Sequence, residues 1–258
     1  MKKLFRMSDL GLLSYYLGID VNQGSSGISL CQSAYVTKLL ERSDIGECNT
    51  CQVPIEVHLK LSKSSTCPLV DATQYQRIIG SLRYLEHTLS DITYAVGYAS
   101  RFMEESHEDH LAAVKHLLRY IVGTRNYGVC YVKKVNNWSI LLSFSDSDMA
   151  GDVDNSKSTT GVFFSLGDKP ITWQSQKQKV AALSSCEAEY IAATTTACQG
   201  IWLARLLREF LYSDLSASVL KVENKSTITL SKNPFSSIGI CSSSPFRSPM
   251  NWIGKLGF

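Results

Sequence analysis

The hydrophobic period changes along the chain, and the changes mark its elements. Strand-like alternation comes first. SYYLGIDV, the turn residues NQGSSG and the return run ISLC together predict a hairpin over residues 14–31. Helical spacing follows. Tyr35, Val36, Leu39 and Leu40 fall on one stripe and predict a helix from Gln32 to about Arg42. Residues 44–68 mix Gly, Pro, Ser and Cys without a period and read as a loop. Three amphipathic helices come next. Asp71 is placed to cap the first, which carries Tyr75, Ile78, Ile79, Leu82 and Leu85. Ser90 or Asp91 can cap the second, with Ile92, Ala95, Val96, Ala99 and Phe102 inward. The third spans His107 to Val122 on Leu111, Val114, Leu117, Leu118 and Ile121, with Gly123 at its end.

From Asn126 the period is two. YGVCYV, SILLSFS, TGVFFSL and PITWQS read as successive strands. A long helix over Ser185–Leu211, a strand over 218–223 and a short helix over 224–232 complete the pattern. Strands, then helix, strand and helix, predict an α/β fold with a mixed sheet and packed helices. The change of period near 123–137 divides the chain into a hairpin-and-helix block at 1–125 and a sheet-and-helix block at 126–234. Residues 235–258 hold six serines between 236 and 248, no acidic residue and no apolar period, which predicts a poorly ordered tail.

Composition narrows the class. With 258 residues, 44% hydrophobic and 19% charged, the chain can bury one large core or two small ones, as soluble globular proteins do. A net charge of +3 does not argue for nucleic acid by itself. No apolar run is long enough to cross a membrane, and MKKLFRMSDLG lacks the apolar stretch of a signal peptide. The expectation is an intracellular chain, cytoplasmic or nuclear, with no membrane partner. The cysteines are scattered rather than framed in pairs, so reduced thiols are expected. Cys48 and Cys51 form a CxxC, but a zinc site needs a second pair. His107 and His110 are distant candidates, and loop thiols are the simpler reading. HEDH lacks the spacing of HExxH, and no GxGxxG or phosphate-binding loop occurs.

The chemistry lies in carboxylates. Alternation in SILLSFSDSDMAGD puts Ile140, Leu142, Phe144 and Asp146 on one strand face, with the acid ending an apolar row. In LSSCEAEYIAA, Ser184 and Glu187 have capping-box spacing, which occupies Glu187 and leaves Glu189 free. Glu223 ends a strand just before a helix. Three acids at strand ends and a helix start suit hard divalent cations. Two such ions about 4 Å apart clamp the attacking and leaving oxygens of a phosphodiester. Strand-end acids that are merely solvated, or that cap the next helix, are the plain alternative.

The stretch FSDSDMAGDVDNSKSTTGVFFSLGDKPITWQSQKQKVAALSSCEAEYIAA resembles the ribonuclease H domain of copia-type retrotransposon Pol polyproteins, and ACQGIWLARLLREFL and VENKSTITLSKNP continue the match. MSDLGLLSYYLGIDV and YQRIIGSLRYLEHTLSDITYAVGYASRFMEESHEDHLAAVKHLLRYIVGT resemble the end of that family's reverse transcriptase and its link to ribonuclease H. The resemblance covers about residues 1–234 and implies a truncated Pol. It implies a ribonuclease H-like mixed sheet with packed helices at 126–234, preceded by a hairpin and a helical thumb or connection remnant at 1–125.

The reaction implied is hydrolysis of RNA in an RNA–DNA hybrid, with two Mg²⁺ or Mn²⁺ ions held by Asp146, Glu189 and Glu223, and with Glu187 as the alternative to Glu189 in the EAEY motif. An intact Pol protein acting in trans is a possible further partner. Tyr15 and Tyr16 correspond to a primer-contacting hairpin, with a strand burying one ring as the alternative. Lys157, Lys177 and Lys179 are candidate phosphate contacts, with solvated surface lysines as the alternative. The sequence departs from the family in four places. Glu223 stands where the family has Asp. The segment after the KNP motif holds no acid or His to supply a fourth ligand. Met149 replaces a common Trp, and the Tyr-x-Asp-Asp of the polymerase does not occur. These departures imply impaired cleavage, or alternatively a hybrid-binding module that does not cut, or a relic of a decayed element.

Overall fold

The computed structural model describes residues 11–43, 45, 48–133, 140–211 and 217–232. The expected tail at 235–258 lies outside them. The hairpin region forms three short strands, β1 (Tyr15–Tyr16), β2 (Ile19–Gln23) and β3 (Gly27–Cys31). Its turn closes with Gly24 N–H donating to Gly27 O at 2.9 Å. β4 (Gly128–Val132) then pairs antiparallel with β3, with Leu30 opposite Val129. The alternation in YGVCYV identified a strand, but grouping it with the later strands is corrected here: it completes a first sheet of order β1-β2-β3-β4. Alternation sets which face a strand buries and says nothing of its partner. A Cβ at Gly128 would lie 2.0 Å from Leu30 O, so the close approach of β3 and β4 requires glycine there.

Four helices lie between β3 and β4 in the chain: α1 (Ser33–Arg42), α2 (Ala72–Leu85), α3 (Thr93–Ala99) and α4 (Glu108–Thr124). Asp71 caps α2 as expected, its Oδ1 accepting from Thr73 N at 2.8 Å and Gln74 N at 3.3 Å. The second helix starts differently. A single 3-10 turn at Ser90–Ile92 leads into α3 with no side-chain cap, and the Asp91 carboxylate accepts from the Tyr120 hydroxyl instead. α4 runs through Gly123 to Thr124, because a helical glycine costs only about 1 kcal/mol and the packed face outweighs it. Tyr75, Ile79, Leu82, Ile92, Val114 and Ile121 are fully buried in one core shared with α1. Each such side chain contributes roughly 1.5–3 kcal/mol.

His110 ties the start of α4 to the preceding loop. Its Nδ1 accepts from His107 N–H at 3.1 Å, and its Nε2 lies 3.0 Å from Ser62 O. A carbonyl only accepts, so Nε2 carries the proton and the ring is neutral. Burial lowers its pKa from 6.5, against the opposing pull of Asp109 and the Ser62 carbonyl. Its contribution to stability is therefore complete above about pH 6.5 and is lost as pH falls through the lowered native value. Urea denaturation should show the gap between wild type and His110→Gln narrowing from pH 7.5 to pH 5 on the order expected from that linkage. A gap that stays constant would contradict the lowered native pKa.

The second sheet contains β5 (Ile140–Ser147), β6 (Thr159–Leu166), β7 (Lys169–Lys177) and β8 (Ala217–Val222) in the order β7-β6-β5-β8. The first three are antiparallel neighbours, and β8 joins β5 in parallel. The crossover is α5 (Ser185–Leu211), with the bounds its sequence predicted, and α6 (Lys225–Ser231) follows β8. The architecture is thus mixed α/β. The fully buried row of β5 is Leu141, Ser143 and Ser145, while the apolar row that leads to Asp146 is only half-buried. Small residues explain why the serine row is the buried one. α5 presents Ala188, Ala192, Ala193 and Thr196, all fully buried, and packs on β5 closely enough to bury serines.

The second sheet is tied both to the helices and to the first sheet: Trp173 Nε1 donates to Glu86 O at the end of α2 at 2.8 Å, and the Tyr131 hydroxyl on β4 donates to Pro170 O on β7 at 3.1 Å. Among the described residues, no helix is long and apolar enough to cross a membrane.

Candidate metal centre

Parallel pairing brings two of the acids together. Ser145 on β5 lies opposite Val222 on β8, so the next residues are neighbours: Asp146, still paired with Gly161 on β6, and Glu223, just past the end of β8. The third arrives on the first turns of α5. Ser184 Oγ accepts from Glu187 N at 3.2 Å, and Glu187 Oε2 accepts from Leu183 N at 2.8 Å. That occupies Glu187 at the helix start, as its spacing predicted. Glu189, two residues on, is 8% exposed and shares a hydrogen bond with Asp146. Asp146 and Glu223 are exposed, and Asp146 Oδ1 accepts from Ser147 N at 2.8 Å.

The electrostatics of this edge disfavour charging all three acids together. Burial first, then the charge of Asp146 and the shared hydrogen bond, push Glu189 up to about 8, while the Ser147 N–H pulls the other way and the charge of Glu223 adds to the rise. Burial and the charge of Asp146 also raise Glu223. Glu189 Oε2 is buried with no hydrogen-bond partner. An orphaned carboxylate oxygen beside two further acids is the donor set that a hard divalent ion takes. Among the described residues, no three His, Cys, Asp or Glu side chains converge tightly enough to enclose an ion by themselves. An open edge still suits Mg²⁺, which keeps several waters and uses few carboxylates.

The second acid of SDSD has a different task. Asp148 Oδ1 accepts from Thr159 N at 2.5 Å, and Asp148 N donates to Thr159 O at 3.2 Å. Burial raises its pKa against the pull of Thr159 and Arg101. Gly151 leaves it room, since a Cβ there would sit 2.1 Å from Asp148 Oδ2. Gly151→Ala should therefore cost about 1–3 kcal/mol in a urea titration. An unchanged midpoint would refute the close approach.

A buried ion cluster sits behind the loop. Asp152 is 5% exposed, and its Oδ2 meets Arg101 Nη1 at 3.2 Å and Lys177 Nζ at 2.5 Å. Arg101 Nη2 also donates to Thr159 Oγ1 at 2.8 Å. Burial alone would raise the Asp152 carboxyl, but the hydrogen bond and charge of Lys177, the Asn155 N–H and Arg101 hold it below its ordinary value. Arg101 comes from the helical unit and Lys177 from β7, so Asp152 links the two units. Sequence reading missed Arg101 and Asp152, and a buried acid in a polar loop gives no local signal of its partners.

The candidate nucleic-acid residues separate. The ammonium of Lys177 is engaged by Asp152, so the phosphate contact expected of it gives way to an internal ion pair. Lys157 is half-buried in the loop between β5 and β6, and Lys179 is exposed just beyond β7. Tyr15 and Tyr16 are each 59% exposed on β1, so neither ring is buried, and they lie in the other sheet from the acids. Met149 is also exposed beside the acids. The Cys51 thiol lies 3.8 Å from His116 Nδ1, not beside His107 or His110.

Residues 1–57 match a family described as reverse transcriptase (RNA-dependent DNA polymerase). The chain is 39% identical over 230 residues to the retrovirus-related Pol polyprotein from transposon RE1 of Arabidopsis thaliana, a match covering 89% of this chain and 16% of that protein. It is 40% identical over 243 residues to the corresponding polyprotein from transposon TNT 1-94 of Nicotiana tabacum, covering 90% and 18%. An uncharacterized mitochondrial protein of Arabidopsis thaliana is 34% identical over 198 residues, covering 77% of this chain and 81% of its own length. The chain therefore spans about a sixth of the length of the two Pol polyproteins.

Proposed function

Because the chain belongs to the family of retrovirus-related Pol polyproteins of copia-type retrotransposons, we propose that its second sheet is a ribonuclease H-like unit that acts weakly on the RNA strand of RNA–DNA hybrids. The observation that carries this reading is the convergence of Asp146, Glu189 and Glu223 on one sheet edge, with Glu189 Oε2 left unpaired. Asp146 and Glu189 would hold a divalent cation jointly, and Glu223 would hold a second from the end of β8. A bound divalent ion supplies the positive charge that a scissile phosphodiester needs and favours ionisation of water nearby. The protein's part is to fix the carboxylates. β5 and β8 set two of them by register, and α5 carries the third. Lys157 and Lys179 would meet phosphates, and Tyr15 and Tyr16, exposed on the first sheet, would offer rings to a nucleic acid. An intact Pol protein is the natural partner in trans.

Weakness follows from Glu223. Its extra methylene displaces the carboxylate by ~1.5 Å relative to Asp, where sites tolerate about 0.5 Å. The sequence after Pro234 adds no Asp, Glu or His. Those two features also favour a second reading, a module that grips hybrid by shape and phosphates without cutting. A labelled hybrid incubated with Mn²⁺ separates them. Glu223→Asp is expected to cut at least about tenfold faster than wild type if its position limits the site. No cleavage by either protein, together with salt-sensitive hybrid binding, would establish the second reading.

A further inference from the structure

Outside the acids themselves, one buried side chain touches the neighbours of two of them. Gln178 follows β7 and is 6% exposed. Its backbone N–H donates to Ser158 O at 2.8 Å. Its Nε2 lies 2.9 Å from Ala188 O, 3.1 Å from Thr160 Oγ1 and 3.3 Å from Ser147 Oγ. Ala188 immediately precedes Glu189 on α5. Ser147 immediately follows Asp146 on β5, and Thr160 is its register partner on β6. The amide orientation is set by chemistry. Ala188 O only accepts, so the nitrogen and not the oxygen must face it. That choice leaves Gln178 Oε1 buried without a partner, a cost of ~1–3 kcal/mol.

We propose that Gln178 is a positioning residue for the acidic centre, clamping the first turn of α5 to the end of β5 so that Glu189 meets Asp146. This inference rests on the metal reading of that edge, although the clamp can be tested apart from it. The local fold does not explain the arrangement otherwise. α5 is already packed on β5 through its alanines, and a buried amide with an orphaned oxygen is a poor stabiliser beside an apolar residue of the same shape. What the amide adds is direction, since its two N–H donors are shared among acceptors on α5, β5 and β6 and fix the helix start relative to two strands.

The test compares the full chain with Gln178→Met, which keeps length and volume but removes the donor. Tyr75→Phe, in the distant helical core, loses one buried hydrogen bond to Ala99 O and serves as the control for stability alone. Mn²⁺ binding by electron paramagnetic resonance and hydrogen exchange of segments 145–150 and 185–195 are read for all three. Gln178→Met is expected to bind Mn²⁺ about tenfold more weakly, as loss of outer-shell support does, and to exchange faster in both segments, while Tyr75→Phe changes neither. Wild-type Mn²⁺ affinity and unchanged exchange in Gln178→Met would overturn the proposal. If wild type itself fails to bind Mn²⁺, the metal reading falls and exchange decides: faster exchange in both segments upholds the clamp, and unchanged exchange refutes it.

Discussion

Asp152→Ala is expected to destabilise the chain by about 3–5 kcal/mol, the usual result of stripping one partner from a buried ion cluster. The reason is geometric. Arg101 and Lys177 both reach Asp152 Oδ2, with side-chain exposures of 11% and 26%, so removing the carboxylate leaves two cations facing each other in a poorly solvated place. The urea midpoint should fall accordingly, and Asp152→Asn should recover part of the loss, because an amide oxygen still accepts from Arg101. The pH dependence has a definite sign. The native carboxyl is held below its ordinary value of 3.8, so the contribution is complete above that value and is lost as pH falls through the lowered one. A variant as stable as wild type would show that the cluster is solvated and contributes little. The cluster also joins the helical unit to the second sheet, so its loss should loosen their docking.

Glu189→Gln should act in opposite directions on stability and on ion binding. The native Glu189 carboxyl is raised from 4.5 to about 8 by burial and by Asp146. Its contribution to the metal-free chain is complete below pH 4.5 and is lost as pH rises through about 8. The metal-free protein should therefore weaken across that window, and Glu189→Gln should flatten the dependence. At pH 8 the substitution should gain about 1 kcal/mol, as relieving strain at functional sites commonly does. Mn²⁺ affinity should fall by more than about 100-fold, beyond the range seen for outer-shell changes. Thermal melts at pH 5 and 8 with a Mn²⁺ titration decide the matter. A variant that loses stability at pH 8 and keeps its Mn²⁺ affinity would show that Glu189 is a structural acid.

What the sequence revealed, and what it hid, follows the range of the interactions. Asp71 at a helix cap, the bounds of α5 and the division of labour between Glu187 and Glu189 are all decided within four residues, and local spacing exposes them. The three acids could be located because each lies near the end of an element whose period is clear. Partners across the fold were hidden. The return of β4 to β3 and the pairing of Lys177 with Asp152 join residues far apart in sequence. Which face of β5 is buried was hidden for a related reason. Ser143 and Ser145 look solvent-facing until the alanine face of α5 is laid against them. Gln178 is one polar residue in a polar run, and only the fold shows that its amide reaches three elements.

The most direct test of the acidic centre is cleavage of an end-labelled RNA–DNA hybrid by the purified chain in Mn²⁺, run beside Asp146→Asn. Slow, metal-dependent cutting of the RNA strand is expected, and it should disappear in Asp146→Asn while that variant's fold persists by circular dichroism. Equal cutting by both proteins, or none by a folded wild-type chain, would contradict that expectation.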